Sequence, residues 1–339
     1  MKLCLVPMPL LLAASAWPAL AATPAISAKS FRDDAFPQVE ARYPGGIVAR
    51  PHVEFANYVG YRPLQLDLYL HADRAKAKAR PLVIWIHGGG WSRGDSRQSG
   101  AFTDFPGVLA SLAARGYVVA SVDYRMSDEA AFPAPVQDVK AAIRYLRERA
   151  ADFGVDPSRV ILWGGSAGGH LAALAATTCH VAAFAPPPST GRLSRTAAAS
   201  AQALSQSDCV QGAAIWYGPF DLDRHRVQRS PALGDNVSAL LRCRDDACIE
   251  PAKRASPIGY VDATTPPMLL VHGTADDEVE YGQSELMAAA LKRVSVPVDT
   301  LFIPDANHGF IGKSLEDTRR FSLLALDRTF AFFDRITRR

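Results

Sequence analysis

The sequence predicts a doubly wound, mostly parallel α/β sheet of about eight strands. Two observations carry this. From about residue 52, short runs rich in β-branched and aromatic residues alternate with longer stretches of helical periodicity, and several of the most apolar runs close on glycine-rich turns. The chain is 339 residues long, 48% hydrophobic and 21% charged, enough for one large core.

The elements follow in order. Met1-Lys2 is a short basic start, Leu3 to Ala16 is nearly all apolar, and Ala19-Leu20-Ala21 has the small-x-small form of a cleavage site, so residues 1–21 are expected to be a secretory signal. Pro7, Pro9 and Pro18 interrupt the run, and no other stretch approaches the roughly 20 apolar residues of a membrane span. The mature chain is expected to begin near Ala22, exported to the periplasm or medium without stable membrane insertion, with residues 22–44 as an N-terminal extension. His52 to Tyr58 and Leu64 to His71 read as an opening antiparallel pair. Pro81 to His87, Tyr117 to Asp123, Arg159 to Gly164, Gly212 to Tyr217, Pro267 to His272 and Val298 to Ile303 are continuous apolar runs, as strands covered on both faces should be. Helical periodicity fills Asp104 to Ala114, Pro135 to Phe153, Ala167 to Thr177, Tyr281 to Val294 and Leu315 to Ile336.

Two stretches break the rhythm. Residues 179–211 include a segment rich in Ala, Ser, Thr and Pro that reads as a surface excursion, and residues 219–266 are long for a strand-to-strand connection and read as a small cap. Four cysteines follow the signal: Cys179, Cys209, Cys243 and Cys248. In an oxidising compartment they favour disulfides. The pairing Cys179–Cys209 and Cys243–Cys248 is preferred because each pair brackets a loop-like segment, against the alternative of four buried thiols.

The net charge of +3 argues against a nucleic-acid partner, as no basic cluster is present. The chemistry lies at strand ends. After the run ending at Gly164 comes Gly164-Gly165-Ser166-Ala167-Gly168, a G-x-S-x-G pattern between strand and helix, where glycines let the chain hold Ser166 in a strained, exposed position. His87-Gly88-Gly89-Gly90-Trp91 also follows a strand, and its backbone N–H groups, unshielded by side chains, suit an oxyanion.

A serine nucleophile needs a base and a carboxylate to orient that base. Of the eight histidines, His52 and His71 fall in the opening strands, His180 and His225 in the irregular stretches, and His170 on the helix behind Ser166. His87 and His272 each precede glycine at a strand end and read as loop-ordering. His308, in Asn307-His308-Gly309-Phe310 after the last strand, remains as the base. The carboxylate is sought in Asp276-Asp277-Glu278, and Asp276 is preferred as nearer the strand end, with Asp277 expected to face solvent. Trp91, Tyr217 and Phe310 stand near strand ends and are candidate pocket walls.

From about residue 45 to the end the chain resembles the α/β-hydrolases of the hormone-sensitive-lipase-like and feruloyl-esterase-like carboxylesterases, through HGGGW at 87–91, DYR at 123–125, GGSAGGH at 164–170, HGTADDEV at 272–279 and NHGF at 307–310. The resemblance implies an α/β-hydrolase domain over 45–339, a triad of Ser166, Asp276 and His308, and an oxyanion hole of backbone N–H groups at Gly89, Gly90 and Ala167. Hormone-sensitive-lipase-like members usually carry Asp before the nucleophile, where this chain has Gly165, which moves it toward the bacterial feruloyl and acetyl esterases and the arylformamidase-like enzymes. The expected activity is hydrolysis of small or plant-cell-wall-derived carboxylic esters through an acyl-enzyme, with a small-molecule ester as partner and no cofactor or metal. An arylformamidase-like amidase, a prolyl-oligopeptidase-like serine peptidase and a catalytically silent hydrolase-like binding protein are the alternatives. The peptidase is disfavoured by the absence of room for a propeller, and the silent protein by the presence of all three triad residues.

Overall fold

The computed structural model describes residues 39–190, 206–228 and 235–338. The expected export signal, most of the N-terminal extension and the Ala- and Ser-rich part of the excursion, 191–205, lie outside the described residues.

The sheet has nine strands: β1 (Ala41–Tyr43), β2 (Ile47–Ala56), β3 (Leu64–His71), β4 (Arg80–Ile86), β5 (Val118–Val122), β6 (Val155–Gly165), β7 (Gly212–Trp216), β8 (Met268–Gly273) and β9 (Val298–Ile303). They lie in the order β1-β2-β3-β5-β4-β6-β7-β8-β9. The pairings from β5 through β9 are parallel, while β1, β2 and β3 pair antiparallel at one edge. The strand beyond the expected eight is β1, three residues of mixed exposure with no apolar pattern to reveal it. β6 also starts earlier than expected, at Val155, because its first residues pair with Arg80 at the rim.

The described helices are α1 (Phe105–Ala114), α2 (Ala134–Glu148), α3 (Ala150–Phe153), α4 (Ala167–Thr177), α5 (Leu222–Gln228), α6 (Asn236–Leu241), α7 (Ile249–Ala255), α8 (Gly282–Arg293) and α9 (Leu315–Thr337). Side-chain caps set the starts of α1, α6 and α9: Asp104 accepts from the Gly107 N–H at 2.9 Å, Asp235 from Ser238 at 2.9 Å and Ser314 from Asp317 at 3.0 Å. The single helix expected over Pro135 to Phe153 is two, divided at Arg149, whose φ of −96° and ψ of 20° leave the helical region; α3 then closes on Gly154 in the left-handed region, at φ 69°.

The central strands are buried on both faces, which is why they read as unbroken apolar runs. On one face Trp85, Trp163 and Trp216, from the adjacent strands β4, β6 and β7, are fully buried and meet edge to face, with ring centroids 4.6 Å apart for the first pair and 4.8 Å for the second. Each buried side chain of this size contributes roughly 3 kcal/mol. The Trp216 indole also donates to Thr329 on α9 at 2.8 Å, fixing the last helix to the strand before the cleft. This rigid centre holds the carboxyl ends of β4, β6, β7, β8 and β9 in one row, and the segments carrying HGGGW, Ser166, Asp276 and His308 each follow a strand of that row.

Both disulfides join the expected pairs, each bracketing a loop segment: Cys179–Cys209 at 2.15 Å and Cys243–Cys248 at 2.14 Å between sulfurs. Cys179, His180 and Cys209 bring their ligand atoms within 4.8 Å of one another, but both sulfurs of that group are bonded to each other. No helix among the described residues is long and apolar enough to cross a membrane.

Candidate active site

Ser166 sits between the last residue of β6 and the first turn of α4, with φ 55° and ψ −123°. A non-glycine residue there costs about 1–3 kcal/mol and persists only where its surroundings force it. The forcing is visible in the glycines. A Cβ at Gly164 would lie 2.3 Å from the Gly168 carbonyl oxygen, and one at Gly168 would lie 2.1 Å from the Ile86 oxygen, so strand, helix and the end of β4 meet backbone to backbone. The Ser166 N–H donates to the Trp216 carbonyl at 2.9 Å, and its own carbonyl accepts from His170 at 2.9 Å.

The structure brings Ser166, His308 and Asp276 into one hydrogen-bonded chain. Ser166 Oγ lies 3.0 Å from His308 Nε2, and His308 Nδ1 lies 2.9 and 3.1 Å from the two Asp276 oxygens. With Nδ1–H donating to the carboxylate, Nε2 is left to accept the serine proton. Asp276 is fully buried at its side chain, and Oδ1 also accepts from the N–H groups of Glu278 at 3.0 Å and Val279 at 2.8 Å. Burial alone would raise its pKa, but hydrogen bonds from His272 and His308 outweigh that, and the carboxyl is held well below the usual carboxylate range. For His308 burial disfavours the imidazolium, yet the Asp276 hydrogen bond and charge prevail, and its pKa rises above 6.5.

Three neighbours outside the expected triad complete this arrangement. His272, fully buried at the end of β8, places Nε2 3.2 Å from Asp276 Oδ2 and 2.8 Å from the Val279 carbonyl, while Nδ1 accepts from the Ser284 hydroxyl at 2.7 Å. It orders the loop, as its place before glycine suggests, and also braces the Asp276 carboxylate. Asn307 ties two loops together: its side-chain oxygen accepts from the N–H groups of Asp277 at 3.1 Å and His308 at 2.6 Å. Glu278 places Oε2 3.7 Å from His308 Nε2, on the same nitrogen that faces Ser166. Asp277 is exposed.

The HGGGW loop leaves β4 and runs against the elbow. A Cβ at Gly88 would fall 2.9 Å from the Gly165 oxygen and 3.2 Å from Ser166 Cβ. Gly89 and Gly90 have φ 105° and 60°, and a Cβ on Gly89 would lie 2.1 Å from the Arg93 oxygen; only glycine fits. His87 stacks on Tyr124 with centroids 4.4 Å apart, and Tyr124 donates to the His87 carbonyl at 3.1 Å, so the DYR segment anchors this loop. Arg125 in turn pairs with buried Asp138 at 2.7 Å.

Gly89, Gly90, Ser166, Ala167 and His308 all border one cleft of about 500 Å³ at the carboxyl edge of the sheet, and Pro219, His225, Asn236 and Val237 of the 219–266 segment line it as well. Of the candidate wall residues, Tyr217 and Trp91 line it. Trp91 is nevertheless almost wholly buried, its indole N–H donating to His170 Nδ1 at 3.1 Å, so its bulk supports the loop. Phe310 does not line the cleft: it is 1% exposed and packs beneath Tyr217 and Trp216, at 4.7 and 5.2 Å between centroids, because at φ 60° the backbone turns its ring into the core.

A mostly parallel sheet with a strained serine at the strand-to-helix turn, and a histidine and buried acid from later strand ends, defines an α/β-hydrolase. The chain matches the BD-FAE family model over residues 66–291 and belongs to that family. It is 30% identical over 286 residues to the esterase LipQ of Mycobacterium tuberculosis, covering 80% of this chain and 63% of that one, and 32% identical over 255 residues to the esterase LipC of the same organism, covering 74% and 58%. The chain thus spans about 60% of the length of these curated relatives. Among solved structures it resembles a truncated carbohydrate esterase from gut microbiota, with TM-score 0.68, 27% identity and coverage of 86% and 96%, and esterase 2 of Thermogutta terrifontis with propionate bound, with TM-score 0.66, 27% identity and coverage of 86% and 95%.

Proposed function

We propose that the protein is an exported serine carboxylesterase that hydrolyses small or plant-cell-wall-derived carboxylic esters through an acyl-enzyme. The observation that carries this is the unbroken Ser166–His308–Asp276 chain opening on a cleft bordered by the glycine loop.

Ser166 Oγ attacks the ester carbonyl while His308 Nε2 takes its proton, and Asp276 holds the imidazole in the accepting tautomer and stabilises the imidazolium. Charge developing on the carbonyl oxygen meets the N–H groups of Gly89, Gly90 and Ala167, each such donor being worth about 10²–10³ in turnover. The intermediate collapses with cleavage of the bond to the alcohol oxygen, which takes the Nε2 proton. Water then attacks the acyl-serine, His308 takes its proton, and the acid leaves as Ser166 regains a hydrogen.

The relatives named as esterases and the neighbour named as a carbohydrate esterase support an ester substrate with a sugar-like alcohol. A panel of nitrophenyl esters from acetate to decanoate, beside methyl ferulate and acetylated xylan, tests it: release from short acyl esters and from one of the two plant-derived substrates is expected, and inertness toward every ester overturns the reading. Export is supported by the basic start, apolar run and small-x-small site, and by two disulfides. Finding mature protein with an N-terminus near Ala22 outside the cytoplasm is the expected result; full-length protein confined to the cytoplasm overturns it.

A further inference from the structure

His308 stands between two carboxylates, one at each ring nitrogen. Asp276 is buried against Nδ1, whereas Glu278 is 43% exposed at its side chain, lines the cleft and reaches to 3.7 Å from Nε2. The Glu278 backbone is not free to swing, because its N–H donates to Asp276 Oδ1 at 3.0 Å. Its carboxylate is therefore presented to the cleft by the same turn that builds the triad.

At 3.7 Å the Glu278–His308 contact is too long for a hydrogen bond. While Nε2 accepts from Ser166 it offers the carboxylate no proton at all. The carboxylate is thus held beside the reacting nitrogen without a strong partner of its own there. The leaving-group oxygen must come within hydrogen-bond reach of Nε2 to take its proton. That brings the alcohol half of the ester alongside Glu278.

We propose that Glu278 is a specificity-determining residue that reads the alcohol half of the substrate, accepting a hydrogen bond from a hydroxyl on the carbon next to the ester oxygen. This rests on Ser166 and His308 acting as proposed above. The alcohol it selects is a vicinal polyol: a glycerol, a sugar unit or an oligosaccharide bearing an acyl group beside a free hydroxyl. A simple alkyl alcohol gains nothing from Glu278, and an alcohol carrying its own carboxylate is repelled by it.

The test compares two acetates of similar size, glycerol monoacetate, which has the neighbouring hydroxyl, and propyl acetate, which lacks it. The quantity read is the ratio of their kcat/KM values, which does not depend on how much of a variant preparation is folded. A hydrogen bond to a charged acceptor is worth at least about tenfold. Glu278→Ala is therefore expected to lower the ratio about tenfold, and Glu278→Gln, which keeps a neutral acceptor oxygen, to fall between the wild type and the alanine variant. A ratio unchanged within about twofold in Glu278→Ala overturns the proposal, as does a Glu278→Gln ratio as low as that of alanine, which would make the effect one of charge alone. Ser166→Ala run beside them separates the two readings: loss of both acetates there upholds the nucleophile whatever Glu278 does, while persistence of both removes the catalytic reading itself.

Discussion

The space that a side chain at Gly165 would need is occupied by Tyr217: a Cβ there would lie 3.1 Å from the tyrosine oxygen and 3.2 Å from Cε2. With no side chain at the residue before Ser166, the Tyr217 ring stands beside the elbow and meets the His308 ring edge to face, with centroids 4.7 Å apart. The one position where the motif departs from the hormone-sensitive-lipase-like pattern is thus matched by a compensating bulk directly after β7.

A coupled pair should behave as one in a double-mutant cycle. Gly165→Ala is expected to lower kcat/KM about tenfold by pushing Tyr217 into His308, and the same change made in a Tyr217→Val background is expected to cost much less, since coupling between touching residues runs to about 0.5–3 kcal/mol. Strict additivity of the two substitutions refutes the compensation.

Ser166→Ala should lose on the order of ten-thousandfold or more in turnover while retaining ester binding. Intact-mass measurement after treatment with a fluorophosphonate should show one adduct on the wild type and none on the variant. Equal labelling of both would place the nucleophile elsewhere.

Asp276→Asn should cost about ten-thousandfold by releasing His308 into the wrong tautomer, with Asp277→Asn near neutral because that residue is exposed and gives only its backbone N–H to Asn307. Steady-state kinetics on a nitrophenyl acetate decides it, and an exchange of the two behaviours would reassign the acid.

The pH dependence follows from the direction of the His308 shift. Burial opposes its protonation, but Asp276, with smaller contributions from Glu278 and Asp277, raises its pKa above 6.5. Since only neutral His308 can take the Ser166 proton, kcat/KM should fall as pH drops through a midpoint above 6.5; a midpoint at or below 6 contradicts the geometry. The same shift bears on stability with opposite sign. A raised native pKa stabilises fully below the unfolded value and ceases to do so as pH rises through the native one. The Tm difference between wild type and His308→Gln should therefore be larger at pH 6 than at pH 9. Asp276, depressed instead, contributes above about 3.8 and loses its contribution only in strong acid.

Non-reducing peptide mapping should recover Cys179 linked to Cys209 and Cys243 to Cys248. The first closes a loop of 30 residues, worth about 3.5 kcal/mol in the chain-entropy model, and the second one of 5, worth about 2 kcal/mol. Paired serine substitutions at Cys179 and Cys209 should then lower Tm more than those at Cys243 and Cys248; the reverse order would show that strain or residual structure, rather than loop length, governs them.

Much of this architecture was legible in the residues because its logic is local. Strands covered on both faces must be continuously apolar, and turns that bring backbone against backbone must be glycine, so β4 to β9 and both glycine loops announce themselves. What escaped detection depends on where side chains point after folding. Three residues of β1 carry no pattern, and their pairing with β2 is set by the turn at Pro44–Gly46. The ring of Phe310 looks like a cleft wall by its place beside His308, but a positive φ turns it inward. The approach of Glu278 to Nε2 and of His272 to Asp276 arises from the path of one tight turn, and no spacing in the chain encodes it.

His170 carries a consequence for measurement. Since an indole can only donate, His170 Nδ1 must accept from Trp91, which leaves Nε2–H to donate to the Ala255 carbonyl at 2.7 Å. One imidazole thereby fastens the glycine loop to α4 and to the end of α7. Burial pushes its pKa down to about 4, so it stays neutral across the working range and the fastening does not titrate there. The indole proton of Trp91 is consequently a single-site clock: its exchange with deuterium, followed by NMR, should report how often the glycine loop parts from His170, and should quicken in any variant that frees Ala255 long before the sheet beneath begins to open.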